Sequence, residues 1–218
     1  MDDAAFDNAL VTAFFQSAAE RGWARASVAA AAREASLPLD QARTRFPNQA
    51  ALLIRFGRMA DQAALAEVPA DGSVRDKLFD LLMHRIDALQ SRRAGVLALL
   101  RALPTEPPTA LLLACATRRS MRWMLEAAGC TARGPRGELR VNGLVGVWLW
   151  TLRAWERDDS EDLSATMAAL DVALGRAEQV AGWLARRRPS LTAEESPSPT
   201  ADHEPSPDAP LATDRGGA

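Results

Sequence analysis

An all-α fold is predicted by three features of this chain. Ala and Leu dominate its 218 residues, of which 48% are hydrophobic, while β-branched residues are scarce and tyrosine is absent. Apolar side chains recur every three or four positions in one segment after another, and nowhere with the two-residue period of a strand. The periodic segments are separated by breakers: SLP, VPADGS, PTEPP and CTARGPRG.

About nine helices follow, with three short ones at the N-terminus. Phe6, Leu10, Phe14 and Ala18 lie four apart and form one apolar face that stops near Gly22. Ser27 is placed to cap a short helix, VAAAAREA, and LDQARTRF makes another beyond SLP. Pro47 ends that helix and can open the next, which is expected over 48–66 with Leu52, Leu53 and Phe56. In VRDKLFDLLMHRIDAL, Leu78, Leu82, Ile86 and Leu89 share a side; AGVLALLRAL follows. TALLLACATRRSMRWMLEAAG is a long apolar helix ending at Gly129, and CTARGPRG is expected as loop. Leu144, Trp148, Leu152 and Trp155 then align at helical spacing. Trp150 is two residues from Trp148, about 200° around a helix, so it faces away.

The stretch WERDDSEDLSATMAALD gathers four carboxylates in five positions. With no His or second acidic cluster to complete a metal site, the expected role is helix initiation. Asp158, Asp159 or Ser160 would cap, the other acids would fill the first turn, and Leu163, Met167, Leu170 and Leu174 would supply the buried stripe to about Arg188.

Composition narrows the function classes. Cys115 and Cys130 have no partner at ligand spacing and are expected as small apolar fillers. His84 and His203 are the only histidines. There is no Gly-rich phosphate loop, nucleophile elbow or Glu-x-x-His pair, so the chain is expected to be no enzyme and to need no cofactor or metal. The acidic start lacks the features of a signal peptide, and no apolar run reaches the roughly 18 residues of a membrane span, which gives an expected cytoplasmic location. Three segments are expected: 1–60, 61–188, and a Pro/Ser-rich acidic tail over 189–218 with net charge −5, compositionally of the disordered type.

The ungapped segment AREASLPLDQARTRFPNQAALL, Ala32 to Leu53, resembles the helix-turn-helix of the TetR family of transcriptional regulators. The resemblance implies a DNA-binding N-terminal module and a helical ligand and dimerisation domain. Arg25, Gln41, Arg43, Thr44 and Arg45 are then the candidate DNA contacts. Three departures stand out. Ser36 occupies the turn-glycine position, Leu39-Asp40 replaces the usual Lys-Gly, and Arg43 and Arg45 stand where tyrosines commonly touch phosphate. Residues 21–60 carry a local charge of +5, but Asp2, Asp3, Asp7 and Glu20 reduce this to +1 over 1–60.

A second likeness covers residues 15–175. MLEAAG, RGELRVNGL and WLWTLRAWERDDSEDLSATMAALDVAL, with RGWARASVAAAAREASLP, resemble the ubiquinone-biosynthesis accessory family. Those proteins combine a TetR-like fold with lipid binding and a degenerate helix-turn-helix. It implies a non-catalytic homodimer, peripheral on the inner face of the cell membrane, that presents an isoprenoid quinone intermediate to a pathway hydroxylase. Candidate lipid contacts are Met83, Met121, Met124, Trp123, Trp148, Trp150 and Trp155, since large apolar and sulfur side chains suit an adaptable pocket. Val180, Trp183, Leu184, Arg186, Arg187 and Arg188 are candidate membrane contacts, an amphipathic end with Trp and Arg at headgroup level. The sequence leaves two readings, with the recognition helix as discriminator: a lipid-binding accessory factor, or a TetR-type regulator with a small apolar inducer.

Overall fold

The computed structural model describes residues 2–68 and 71–186, and the side chains of these up to Trp183. The tail expected over 189–218 lies outside the described residues. Among those described there are nine α-helices and no strand: α1 (Asp3–Arg21), α2 (Val28–Glu34), α3 (Leu39–Arg45), α4 (Gln49–Ala66), α5 (Val74–Gln90), α6 (Arg93–Ala102), α7 (Pro107–Ala127), α8 (Gly134–Arg157) and α9 (Ser164–Arg186). Short 3-10 turns follow α1 and α6.

The starts of these helices follow from their caps. Asp2, Ser27, Asn48 and Ser73 each accept a backbone N–H of the first turn. Ser73 and Asp76 cap each other reciprocally. Three starts differ from expectation. Asn48 caps α4, so Pro47 precedes that helix instead of opening it. Pro107 and Pro108 of the PTEPP breaker are the first residues of α7, where a missing N–H costs nothing. Gly134–Gly137, expected as loop, forms the first turn of α8, with Pro135 near its start.

The acidic stretch is also corrected. Helix α9 begins at Ser164, and none of the four acids lies in its first turn. Residues 158–163 form a link in which Leu163 takes φ 53. Asp158 is buried there and accepts from the backbone N–H and hydroxyl of Thr166, both at 2.7 Å, and from the N–H and hydroxyl of Ser160. One carboxylate thus joins the end of α8 to the start of α9. The Ser160 hydroxyl, then burial working in the opposite direction, then Thr166 set its acidity; the net effect holds Asp158 down at about 2. Because the folded value lies below the unfolded value near 4, this stability is present above roughly pH 4 and is lost as pH falls toward 2. Asp158→Asn is expected to flatten the acid limb of a stability-versus-pH curve across that window, checked by urea denaturation at each pH.

One apolar core runs through the described residues. In the N-terminal part, Phe14, Phe15, Trp23 and Phe56 pack together, with Phe15 and Phe56 centroids 4.4 Å apart. Helix α4 runs unbroken across residue 60 and packs on α1, α5 and α7. Helices α8 and α9 form an antiparallel hairpin whose interior holds Trp148, Trp155, Leu170 and Leu174. Arg93 of α6 secures its closed end: it donates to the carbonyls of Trp155 at 2.7 Å and Glu156 at 3.3 Å, and stacks over the Trp155 ring. Those carbonyls would otherwise be unpaired at a helix end.

Helices α1 and α6 touch backbone to backbone at Gly95, where a Cβ would stand 2.2 Å from the Phe15 carbonyl oxygen. Gly95→Ala must push the two helices apart. A loss of about 1–3 kcal/mol is expected from overpacking, measured by chemical denaturation. Gly57→Ala in α4, where nothing lies within 4 Å of an added Cβ, serves as the control and should be neutral or slightly stabilising.

Candidate functional site

Helices α2 and α3 meet through Ala35–Pro38 in helix-turn-helix form. Ser36 takes φ 55, the left-handed conformation in which glycine is favoured. The departure from the family motif therefore keeps the turn and accepts local strain. Helix α3 buries only Ala42. Leu39, Asp40, Gln41, Arg43 and Thr44 are all exposed, so the face that a recognition helix needs is uncovered by this chain.

The five candidate DNA contacts fall into two groups. Arg25 and Gln41 are exposed. The other three have hydrogen bonds within the chain. Thr44 donates to the Asp40 carbonyl at 2.9 Å, and Arg43 to the Pro47 carbonyl at 2.7 Å. Arg45 is drawn inward. Its Nε lies 2.7 Å from buried Asp7 and its Nη1 2.8 Å from Asp3. The Asp7 and Asp3 hydrogen bonds push this guanidinium further above its usual range. Asp7 also pairs with Arg55 of α4 at 2.7 Å. One buried carboxylate thus fixes α3 and α4 against α1, which sets the angle at which α3 is presented. That role of Asp7 was hidden in the sequence, where it counted only as a charge offsetting the arginines.

The lipid-contact candidates do not converge on one cavity wall. Met121, Met124, Trp148 and Trp155 are packed in the core. Met83 is half-buried beside it. Trp123 and Trp150 are each 55% exposed. Trp150 thus faces away from Trp148 as its spacing requires. On α8, Leu139, Gly143, Gly146 and Trp150 form an exposed stripe at helical spacing. Cys115 is exposed, not the buried filler expected, and Cys130 is half-buried.

Of the membrane-contact candidates, Val180 and Trp183 are exposed near the end of α9. The side chains of Leu184 and Arg186, and Arg187 and Arg188 altogether, lie outside the described residues. Among the described residues, no single helix is long and apolar enough to cross a membrane, and no three His, Cys, Asp or Glu side chains gather as metal ligands.

A buried polar cluster joins four helices of the C-terminal part. Arg85 of α5 pairs with Asp61 of α4, which accepts from the Ser120 hydroxyl of α7 at 2.6 Å. The Arg85 guanidinium stacks 5.0 Å over the ring of Trp148 of α8. Burial pushes Arg85 down to about 10.

No protein-family model and no curated protein matches the chain. Solved structures do. A TetR transcriptional regulator from Nitrosomonas europaea is 22% identical, with TM-score 0.65 over 79% of this chain and 98% of that one. A TetR transcriptional regulator from a Rhodococcus species is 16% identical, with TM-score 0.54 over 81% of this chain and 97% of that one. These likenesses support the TetR-like part of the sequence reading and lend nothing to the ubiquinone-pathway part. With helix order, the α2–α3 turn and the α8–α9 hairpin already in place, they establish that the chain has the TetR-type all-α fold.

Proposed function

We propose that this protein is a non-catalytic DNA-binding regulator of the TetR type, acting as a homodimer. The observation that carries the reading is the outward face of α3. Gln41, Arg43 and Thr44 stand exposed on a helix whose tilt is fixed by Asp7. The structural neighbours, TetR transcriptional regulators, favour this reading over a lipid-binding one. A helix-turn-helix reads two half-sites through a two-fold dimer. The Leu139–Gly143–Gly146–Trp150 stripe suits the dimer seam, since its glycines leave room for a second helix and its ends carry large apolar side chains.

The residues divide the work. Gln41 is the base reader, its amide matching the adenine edge in the major groove. Arg43, released from the Pro47 carbonyl, and Arg25 meet phosphates. Asp40, in the first turn of α3, opposes the backbone and limits non-specific binding.

Fluorescence polarisation with DNA from upstream of the protein's own gene tests this assignment. Gln41→Ala should cost about 1–3 kcal/mol of discrimination at one base position. Arg43→Ala should weaken all sequences alike and lower the salt slope by about one unit. Asp40→Asn should tighten binding to random DNA a few-fold, on the order of 0.5–1 kcal/mol at low salt. Variants that leave both affinity and discrimination unchanged would remove α3 from the interface.

A second reading is favoured by the exposed tryptophans. Trp123, Trp150 and Trp183 place large amphipathic rings on the outside of α7, α8 and α9. In this reading the chain is the lipid-binding accessory factor that the sequence resembles, peripheral to the membrane, with a quinone intermediate and a hydroxylase as partners. Mass spectrometry of the natively purified protein decides for it if an isoprenoid co-purifies in stoichiometric amount, and against it if none does.

A further inference from the structure

We propose that a hollow between the end of α1 and α6 is a binding site for a small amphipathic anion. The hollow measures about 380 Å³ and lies against Gly22, Trp23 and Ala24 on one side and Ala98, Arg101 and Ala102 on the other. That volume falls near the low end of the roughly 300–1,000 Å³ usual for small-molecule sites.

Three features define the ligand. The floor is apolar: Ala18, Ala19, Ala98 and Ala102 present methyl groups only. The rim is cationic, with Arg21, Arg25 and Arg101 all lining it. Arg21 is already paired with Glu34, but among the described residues no hydrogen bond or ion pair engages the side chains of Arg25 and Arg101. Finally, Trp23, which lines the hollow, is 3% exposed, and among the described residues its indole N–H has no acceptor. The matching molecule carries one carboxylate or phosphate head and a short saturated body. The head meets Arg25 and Arg101, and the body covers the alanines. The site shares Arg25 with the proposed phosphate contacts, and lies apart from α3 itself and from the core between α5, α7 and α8.

The ¹⁵N–¹H indole resonance of Trp23, assigned with Trp23→Phe, tests this in the full chain. Sodium octanoate and octyl phosphate, both held below micelle formation, should shift it saturably. Arg25→Ala/Arg101→Ala should weaken that binding about tenfold or more, because two charge-assisted contacts are lost. Both side chains are exposed and unengaged, so the variant should fold normally, which circular dichroism checks. Absence of a shift, or an unchanged titration in the double variant, overturns the proposal. So does inorganic phosphate binding as tightly as octyl phosphate, because the apolar floor would then contribute nothing. Binding only to anionic phospholipid vesicles, with none to the monomeric amphiphiles, would make the arginines a membrane contact and also overturn it.

Discussion

Asp61→Ala is expected to lower stability by about 3–5 kcal/mol, the usual cost of leaving a buried charge without its partner. For a chain of this size that corresponds to a fall in Tm on the order of 10 °C. Asp61 is the carboxylate that neutralises Arg85, and Arg85 keeps only 8% of its side chain exposed. Among the described residues its Nε already lacks an acceptor, so the stranded guanidinium would have no ready substitute there. The reverse change should be milder. Arg85→Met removes the buried charge itself and leaves Asp61, 20% exposed, bonded to Ser120 and reachable by water. The pair Asp61→Leu/Arg85→Met should recover most of the loss, since apolar replacements of buried ion pairs are often neutral or better. Urea denaturation of these variants, with Asp61→Leu alone added to close the cycle, gives the coupling. A cost for Asp61→Ala no larger than for Arg85→Met would show that the pair does not carry the burial argument.

Asp7→Ala is expected to be the most damaging change in the N-terminal part. It removes the shared partner of Arg45 and Arg55, and its own side chain is only 4% exposed. Both guanidiniums are about a third exposed and can turn to water, so the loss should be near the low end of the buried-pair range, about 3 kcal/mol. The change also leaves α3 tied to α1 through Arg45 only by its pair with exposed Asp3. DNA affinity should therefore fall even at temperatures where the fold is intact, and Arg45→Ala should reproduce part of that fall. Stability lost with DNA affinity retained would mean that Asp7 braces the core without setting the angle of α3.

Periodicity made the helices legible, because each needs one apolar face and the chain is rich in Ala and Leu. The faces of Phe6–Ala18, Leu78–Leu89 and Leu163–Leu174 could be drawn from spacing alone. What spacing could not show were contacts between residues far apart in the chain. Asp7 with Arg45 and Arg55, Asp61 with Arg85, and Arg93 with the end of α8 join positions 24 to 63 residues apart. A charge count treats each of these groups as surface charge. The acidic stretch misled for a related reason. Its carboxylates lie before the helix, and the buried one reaches forward eight residues to Thr166. Likewise the segments around Pro107 and Gly134 read as breakers, although Pro is tolerated in the first turn of a helix and both segments start one.

The candidate sites were legible unevenly. The helix-turn-helix was visible because its turn, its aromatic-Pro end and its Leu pair are local. The tryptophans were visible as a set, but their division between core and surface was not, apart from Trp150, whose two-residue offset from Trp148 required it.

The central claim, that α3 presents a working DNA-reading face, is tested most directly by titrating the wild-type protein against DNA from upstream of its own gene over a range of salt. The account predicts saturable binding that survives excess random competitor, as a two-fold dimer, with affinity falling linearly in log–log form as salt rises. Binding that random DNA competes away completely, or no binding even at low salt, would contradict it.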